Sequence, residues 1–164
     1  MANLIEHKKA HFDYEILETY EAGVQLFGGE VKSLRNHQGK LEGAHITVRG
    51  GEAFLLNSEI PLYQPTNETG GGYEPKRNRR LLLNKKELAE LVTAEEQAGL
   101  TIIPLSMYNR GRLIKLRLGI ARGKKKSDKR QTIKKREALR DIAREVKRGV
   151  EHQVKRIGTH LHLD

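Results

Sequence analysis

Ser33 and Ser58 are hydroxyls that an acyl-transfer site could recruit, but neither lies in a Gly-x-Ser-x-Gly turn and no His/Asp pairing frames them. The chain has no Cys, so it offers no thiol nucleophile, no disulfide frame and no Cys-based zinc site. His160 and His162 form the closest histidine pair, and a His-x-His at a chain end reads as a frayed terminus rather than a metal site. Glu87 and Glu90 stand one helical turn apart, where capping and solvation account for them better than acid catalysis. Gly119-Ile-Ala-Arg-Gly123-Lys124 resembles a phosphate-binding loop, yet the first spacing is one residue short. Lys125 also stands where Ser or Thr would hold magnesium. Nothing assembles nucleophile, base and oxyanion donor. The sequence therefore predicts a non-enzyme with no catalytic residue, no metal site and no cofactor.

Cationic side chains carry the positive signal. Residues 122–156 hold 15 Lys and Arg against 5 Asp and Glu, whereas residues 1–121 hold 16 against 15. Charge gathered this way implies a polyanionic partner, because phosphate neutralisation releases counterions. A second cluster, Lys76-Arg77-Asn78-Arg79-Arg80, lies in a Gly/Pro-rich stretch. In Leu113–Ile120, Lys115 and Arg117 share one strand face while Ile114, Leu116 and Leu118 share the other. Together these predict a basic RNA-binding surface. With five Tyr, three Phe and no Trp, stacking of several bases is disfavoured, and recognition of backbone and shape in a structured RNA is expected instead.

The elements that must position these side chains are short. Residues 1–9 are polar and expected to be flexible. Phe12–Glu18 alternates as a strand, Glu21–Gly23 reads as a turn, and Val24–Phe27 as a second strand. Glu30–Arg35 reads as a short helix. Ala44–Arg49 and Glu52–Asn57 flank Gly50-Gly51, a hairpin signal. Gln64–Arg80 reads as irregular, and Lys85–Ala98 as a helix capped by Asn84 and Glu87 and ended by Gly99. Leu100–Leu105 and Arg112–Ala121 suggest a further hairpin around Asn109–Gly111. The fold class expected is mainly β with helical insertions, a small OB-like barrel over residues 10–122, followed by a basic tail over 123–164 that is disordered or helical. Residues 123–137 hold too little apolar surface to order unaided, whereas Leu139, Ile142, Val146, Val150, Val154 and Ile157 recur with helical spacing. No apolar run of 18 residues and no apolar N-terminal core are present, so a cytoplasmic location and no membrane association are expected.

Several words of the sequence occur together in a known order: Tyr20-Glu21-Ala22-Gly23, Gly29-Glu30-Val31-Lys32-Ser33-Leu34-Arg35, Arg79-Arg80-Leu81-Leu82-Leu83-Asn84-Lys85-Lys86-Glu87, Ala121-Arg122-Gly123-Lys124-Lys125 and Asp128-Lys129-Arg130. Over roughly residues 8–137 the chain resembles the SsrA-binding (SmpB) family, the tmRNA-binding factors of bacterial trans-translation. The resemblance implies an OB-like barrel that grips the tRNA-like domain of tmRNA, with Glu21, Leu82 and Lys115 at positions important for binding. Arg35, Arg77, Arg79 and Arg80 are the further RNA-binding candidates. It also implies that the tail enters the ribosomal decoding centre and the empty mRNA channel through Lys124, Lys125, Asp128, Lys129, Arg130, Ile133, Lys134 and Arg136. The partners implied are tmRNA and the ribosome, with elongation factor Tu met only through the tmRNA complex. For Leu82 the residues alone suggest core packing, since a leucine flanked by leucines is usually buried. Ser127 departs from the family pattern, and residues 149–164 match nothing in it. A general ribosome-associated barrel without tmRNA specificity, or a nuclease, are the competing readings; the absence of an acid/base constellation argues against the latter.

Overall fold

Alternation of apolar and basic residues orients one long strand. Leu113–Gly123 forms β7, which turns Ile114, Leu116, Leu118 and Ile120 into the core and leaves Lys115 and Arg117 on the outer face. In the computed structural model, which describes residues 2–63 and 72–161, the chain divides into two units, Met1–Gly123 and Lys124–Asp164.

The first unit runs β1 (Asn3–Glu6), α1 (Ala10–Asp13), β2 (Tyr14–Val24), α2 (Gly28–Arg35), β3 (His45–Arg49), β4 (Glu52–Leu56), β5 (Arg79–Leu82), α3 (Lys85–Glu96), β6 (Leu100–Arg110) and β7. Its seven strands form one antiparallel sheet in the order β1-β6-β7-β2-β5-β4-β3. β3, at one end of that order, packs back near β6, so the sheet curls into a small barrel, with α3 against both strands. Leu34, Leu41, Leu55, Ile60, Leu91, Leu116 and Leu118 fill it, each fully buried. At about 1.5–3 kcal/mol per large apolar side chain, such burial is what offsets the ordering entropy of the strands.

Local signals hold at several points. Gly50 and Gly51 adopt φ of 59° and 76° and join β3 to β4, as a two-residue hairpin turn requires. Asn84 Oδ1 accepts the Glu87 N–H at 2.8 Å and Glu87 Oε1 accepts the Asn84 N–H at 3.2 Å, completing the capping box of α3.

Tertiary pairing overrides the local signals elsewhere. Residues 3–6, expected to be flexible, form β1: the unpaired edge of β6 gives them a partner, and a register shift between Asn3 and Ile5 lets both Leu4 and Ile5 sink into the core. The expected turn at Glu21–Gly23 instead lies within one continuous β2, near its C-terminal end, because β7 pairs with all three residues and β5 adds a second ladder from Gly23. Phe12 lies in α1 rather than in a strand. Arg79 and Arg80, the end of the stretch read as irregular, open β5, while part of that stretch, residues 64–71, lies outside the described residues.

In the second unit α4 covers Lys126–Leu161. Residues 126–137, expected to be disordered, are helical here. Helix-favouring Lys, Arg, Gln and Glu dominate them, and Asp128 near the start accepts the Lys125 N–H at 3.4 Å. Ile133, Leu139, Ile142 and Val146 remain exposed. Among the described residues no helix is long and apolar enough to cross a membrane.

Candidate nucleic-acid interface

Residues directly opposite one another in a sheet share a face and place their Cβ atoms about 4.5–5.5 Å apart. On the outer face of the barrel, one such row crosses four strands: Leu82 on β5 pairs with Gly23 on β2, Gly23 with Lys115 on β7, and Lys115 with Tyr108 on β6. The neighbouring row sets Glu21 beside Arg117. Glu21, Leu82 and Lys115, widely spaced in sequence, therefore meet on one surface. Leu82 is 50% exposed while Leu81 beside it is buried, so the core-packing reading of Leu82 is corrected. Strand alternation chooses between the two leucines, turning Leu81 and Arg79 inward and Arg80 and Leu82 outward. Gly23 makes room for this arrangement, since a Cβ there would stand 3.2 Å from Leu82 Cβ.

Glu21 is held rather than free. Its carboxylate accepts hydrogen bonds from the Tyr108 hydroxyl and from the Arg110 guanidinium. The Tyr108 bond, then the Arg110 bond and the charges of Arg110 and Lys115, outweigh burial and hold the carboxyl below the usual carboxylate range. Burial, followed by the bond to Glu21, pushes the Tyr108 phenol up. At neutral pH the pair is thus a carboxylate and a neutral phenol. Arg117 lies 5.6 Å from the Tyr108 ring centre, a cation–π contact that orders a second guanidinium. The net effect is a group of cations, Arg110, Lys115 and Arg117, arrayed around one fixed anion. Such an array can meet phosphates in a defined geometry.

Two arginines expected on this surface are elsewhere. Arg79 is fully buried: its guanidinium donates to Glu30 Oε2 at 2.6 and 2.9 Å, to Ser58 O and Oγ at 3.0 Å, and to Pro75 O at 2.9 Å. A guanidinium committed to so many acceptors inside the fold cannot also reach RNA. Arg77 is half-buried, bound to the same Glu30 and stacked 4.0 Å from the Phe27 ring centre. Burial pushes the Glu30 carboxyl up, but hydrogen bonds from Arg77 and the Phe27 N–H, with the Arg79 charge, more than compensate and leave it below the usual range. This knot pins residues 73–79 to the start of α2. Arg80 does point outward, where it pairs with Glu52 at 3.0 Å. Arg35, exposed on the last turn of α2, donates to the Arg112 carbonyl at 3.1 Å and so ties α2 to the β6–β7 turn.

Arg110 and Arg112 belong to this surface, and Tyr108, itself buried, holds Glu21 there; none of the three is singled out by the sequence. The basic pair flanking Gly111 in a hairpin turn was the available signal. The tail residues are described within α4 and the short segment before it. Lys125, Asp128, Arg130, Ile133, Lys134 and Arg136 are exposed, and Lys124 and Lys129 half-buried. Among the described residues no three His, Asp or Glu side chains gather as a metal site.

A sequence model described as SmpB protein matches residues 4–148 of the chain. The chain belongs to the SmpB family. Its SmpB-family relatives include the SsrA-binding protein of Microcystis aeruginosa, 46% identical over 145 residues that cover 88% of this chain and 94% of that one. The SsrA-binding protein of Mesoplasma florum is 48% identical over 141 residues, covering 86% and 94%, and that of Thermosipho africanus is 46% identical over 149 residues, covering 90% and 99%. Among solved structures the fold is similar to one described as "tmRNA-SmpB: a journey to the center of the bacterial ribosome". The TM-score is 0.63 at 45% identity, covering 74% of this chain and 84% of that chain. The SmpB match ends at residue 148, which leaves 149–164 outside the family pattern.

Proposed function

We propose that this chain is the protein partner of tmRNA in trans-translation. It acts by binding rather than by catalysis. The outer face of β5, β2, β7 and β6 takes the tRNA-like domain, and the basic segment from Lys124 onward meets the decoding centre and the empty mRNA channel of a stalled ribosome. The single observation that carries this reading is the row Leu82–Gly23–Lys115, with Glu21 one row along, which gathers the implied binding positions on one face. Relatives named SsrA-binding protein, alike over nearly their whole length, support it.

In this reading the barrel sets which RNA is held. Lys115, Arg110 and Arg117 meet phosphates, Leu82 gives an apolar contact, and Glu21 fixes Arg110. Arg35 and Arg80 border the face, and Arg77 and Arg79 support it from within. The tail supplies charge where the channel is lined by phosphate and free of mRNA, so that occupancy reports the stall. A protein in this role works in the cytoplasm. The test is competition: labelled tmRNA bound to the chain should resist a large excess of unlabelled tRNA. Equal displacement by tRNA would favour a general ribosome-associated barrel, and cleavage of tmRNA in magnesium would expose a nuclease.

A further inference from the structure

On the side of β2 turned away from Glu21 runs a groove that RNA binding does not use. Tyr20 and Glu21 are consecutive in β2 and so point to opposite faces of the sheet. Glu21 belongs to the cationic outer face, whereas Tyr20 is buried and turns its hydroxyl to Glu90 of α3. The groove lies there, with a volume of about 330 Å³. Glu90, Thr93, Ala94 and Gln97 recur at three- and four-residue spacing and form its α3 wall. Leu17, Glu18 and Ile120 form the sheet side.

Leu17 reaches the groove through a β-bulge. Ile16 stands opposite Ala121 and Glu18 opposite Ile120, so Leu17 is the extra residue, with no partner in the β7 ladder. It is left 45% exposed, an apolar side chain whose hydration a contact would relieve. In a chain of net charge +10, this groove is negative. The Tyr20 hydroxyl donates to Glu90 Oε2 at 2.7 Å. Burial, then that bond and the Glu18 charge, push the Tyr20 phenol up, so one neutral hydroxyl serves two carboxylates. Among the described residues no cationic side chain lines the groove, and Arg122, opposite Leu100 on β7, is exposed and not among its walls.

Two carboxylates beside the slot repel phosphate, which argues against RNA as the occupant. The exposed Leu17 leaves it too open to enclose a free small molecule, most of whose surface a binding site must bury. What fits is a pair of side chains carried on a polypeptide. One is apolar and covers Leu17 and Ile120; the other is an ammonium or guanidinium beside Glu18 and Glu90. We propose that the groove between β2 and α3 docks a basic segment of a partner protein that also carries a large aliphatic side chain. The inference goes beyond the RNA-binding reading and stands whether or not that reading holds. The barrel then holds RNA on one face of β2 and a protein on the other.

The probe is a fluorescein-labelled peptide in which arginine alternates with leucine, titrated with the full-length chain and followed by anisotropy. A matched peptide with glutamate in place of arginine is the control. The chain should bind the first and not the second, although its own net charge opposes that preference. Glu90→Gln, which still accepts the Tyr20 hydroxyl, should weaken the arginine peptide by up to about fivefold, the range of a partly exposed ion pair. Leu17→Ser should weaken it about fivefold, since about half of a leucine side chain remains to be covered. Both variants should melt like wild type and keep its affinity for tmRNA. No measurable binding of the arginine peptide, equal binding of the glutamate peptide, or equal peptide affinity in wild type and both variants would overturn the proposal. Weaker tmRNA binding by the Leu17→Ser protein would overturn it in favour of an RNA occupant. Failure of wild type to bind tmRNA would remove the proposed function and leave the docking result standing.

Discussion

The barrel and the tail are both cationic where they are expected to meet RNA, yet they present charge in opposite ways. On the barrel, four arginines are tied to carboxylates. Glu21 holds Arg110, Glu52 pairs with Arg80, and Glu30 takes Arg77 and Arg79 out of solvent. Across residues 122–156 the basic side chains outnumber the acidic by 15 to 5, and those of α4 from Arg130 to Arg148 stand exposed. The first arrangement spends net charge to fix geometry, which favours discrimination among RNAs. The second keeps net charge and little geometry, which favours strong, salt-sensitive attachment to any phosphate-lined groove. In the proposed function this contrast divides selection from grip.

The sharpest way to break this division is to remove the tail. A chain ending at Gly123 should bind tmRNA within a few-fold of the full protein, with a shallower salt dependence, and should fail to support tagging in a stalled-ribosome translation assay. Tagging by the truncated chain would erase the contrast.

Next in size is the buried knot under the barrel face. Glu30→Gln leaves Arg79 buried against a neutral partner and should cost about 3–5 kcal/mol in denaturant unfolding at pH 7. Because the folded carboxyl titrates below its ordinary value of 4.5, its contribution is present above that value and lost as pH falls through the lower, folded one. The gap between wild type and variant should therefore close in acid. A constant gap from pH 7 to pH 3 would mean that the carboxylate charge is not what stabilises the knot.

A third comparison lies within the RNA face. Arg110→Ala and Lys115→Ala should each weaken tmRNA binding severalfold and each lower the salt slope by about one. Glu21→Gln should lower affinity without lowering the slope, since it unties Arg110 but removes no cation. An unchanged affinity would separate Glu21 from the binding face.

The smallest effect should come from Asp141→Ala in α4. The Asp141–Arg144 contact is long, 3.9 Å, and both side chains are more than 70% exposed. Helicity by circular dichroism and ribosome binding should both stay within error, whereas a clear change would mean that the tail, too, relies on placed pairs.

Much of the fold could be read locally, and what could not has a common cause. The β7 alternation, the Gly50-Gly51 hairpin and the Asn84/Glu87 cap are signals contained within a few residues. The continuity of β2 through Glu21–Gly23 is not, because its ladders come from β7 and β5, far along the chain. Nor is the burial of Arg79, whose partner Glu30 stands 49 residues away. The site divides in the same way. The outward face of Lys115 and Arg117 follows from alternation, but Glu21 and Leu82 came only through resemblance. Tyr108 and Arg110 emerged only once β6 lay beside β7.

The pairing of β1 with β6 carries a consequence in time. Asn3 stands in register with Tyr108, and Tyr14 with Gly123, so the first strands made must wait for some of the last before either has a partner. Loops of that length close slowly. The apolar pair Leu4-Ile5 stays uncovered meanwhile, a liability until Arg110 has been synthesised. During its own synthesis, the chain should be among the late folders for its size.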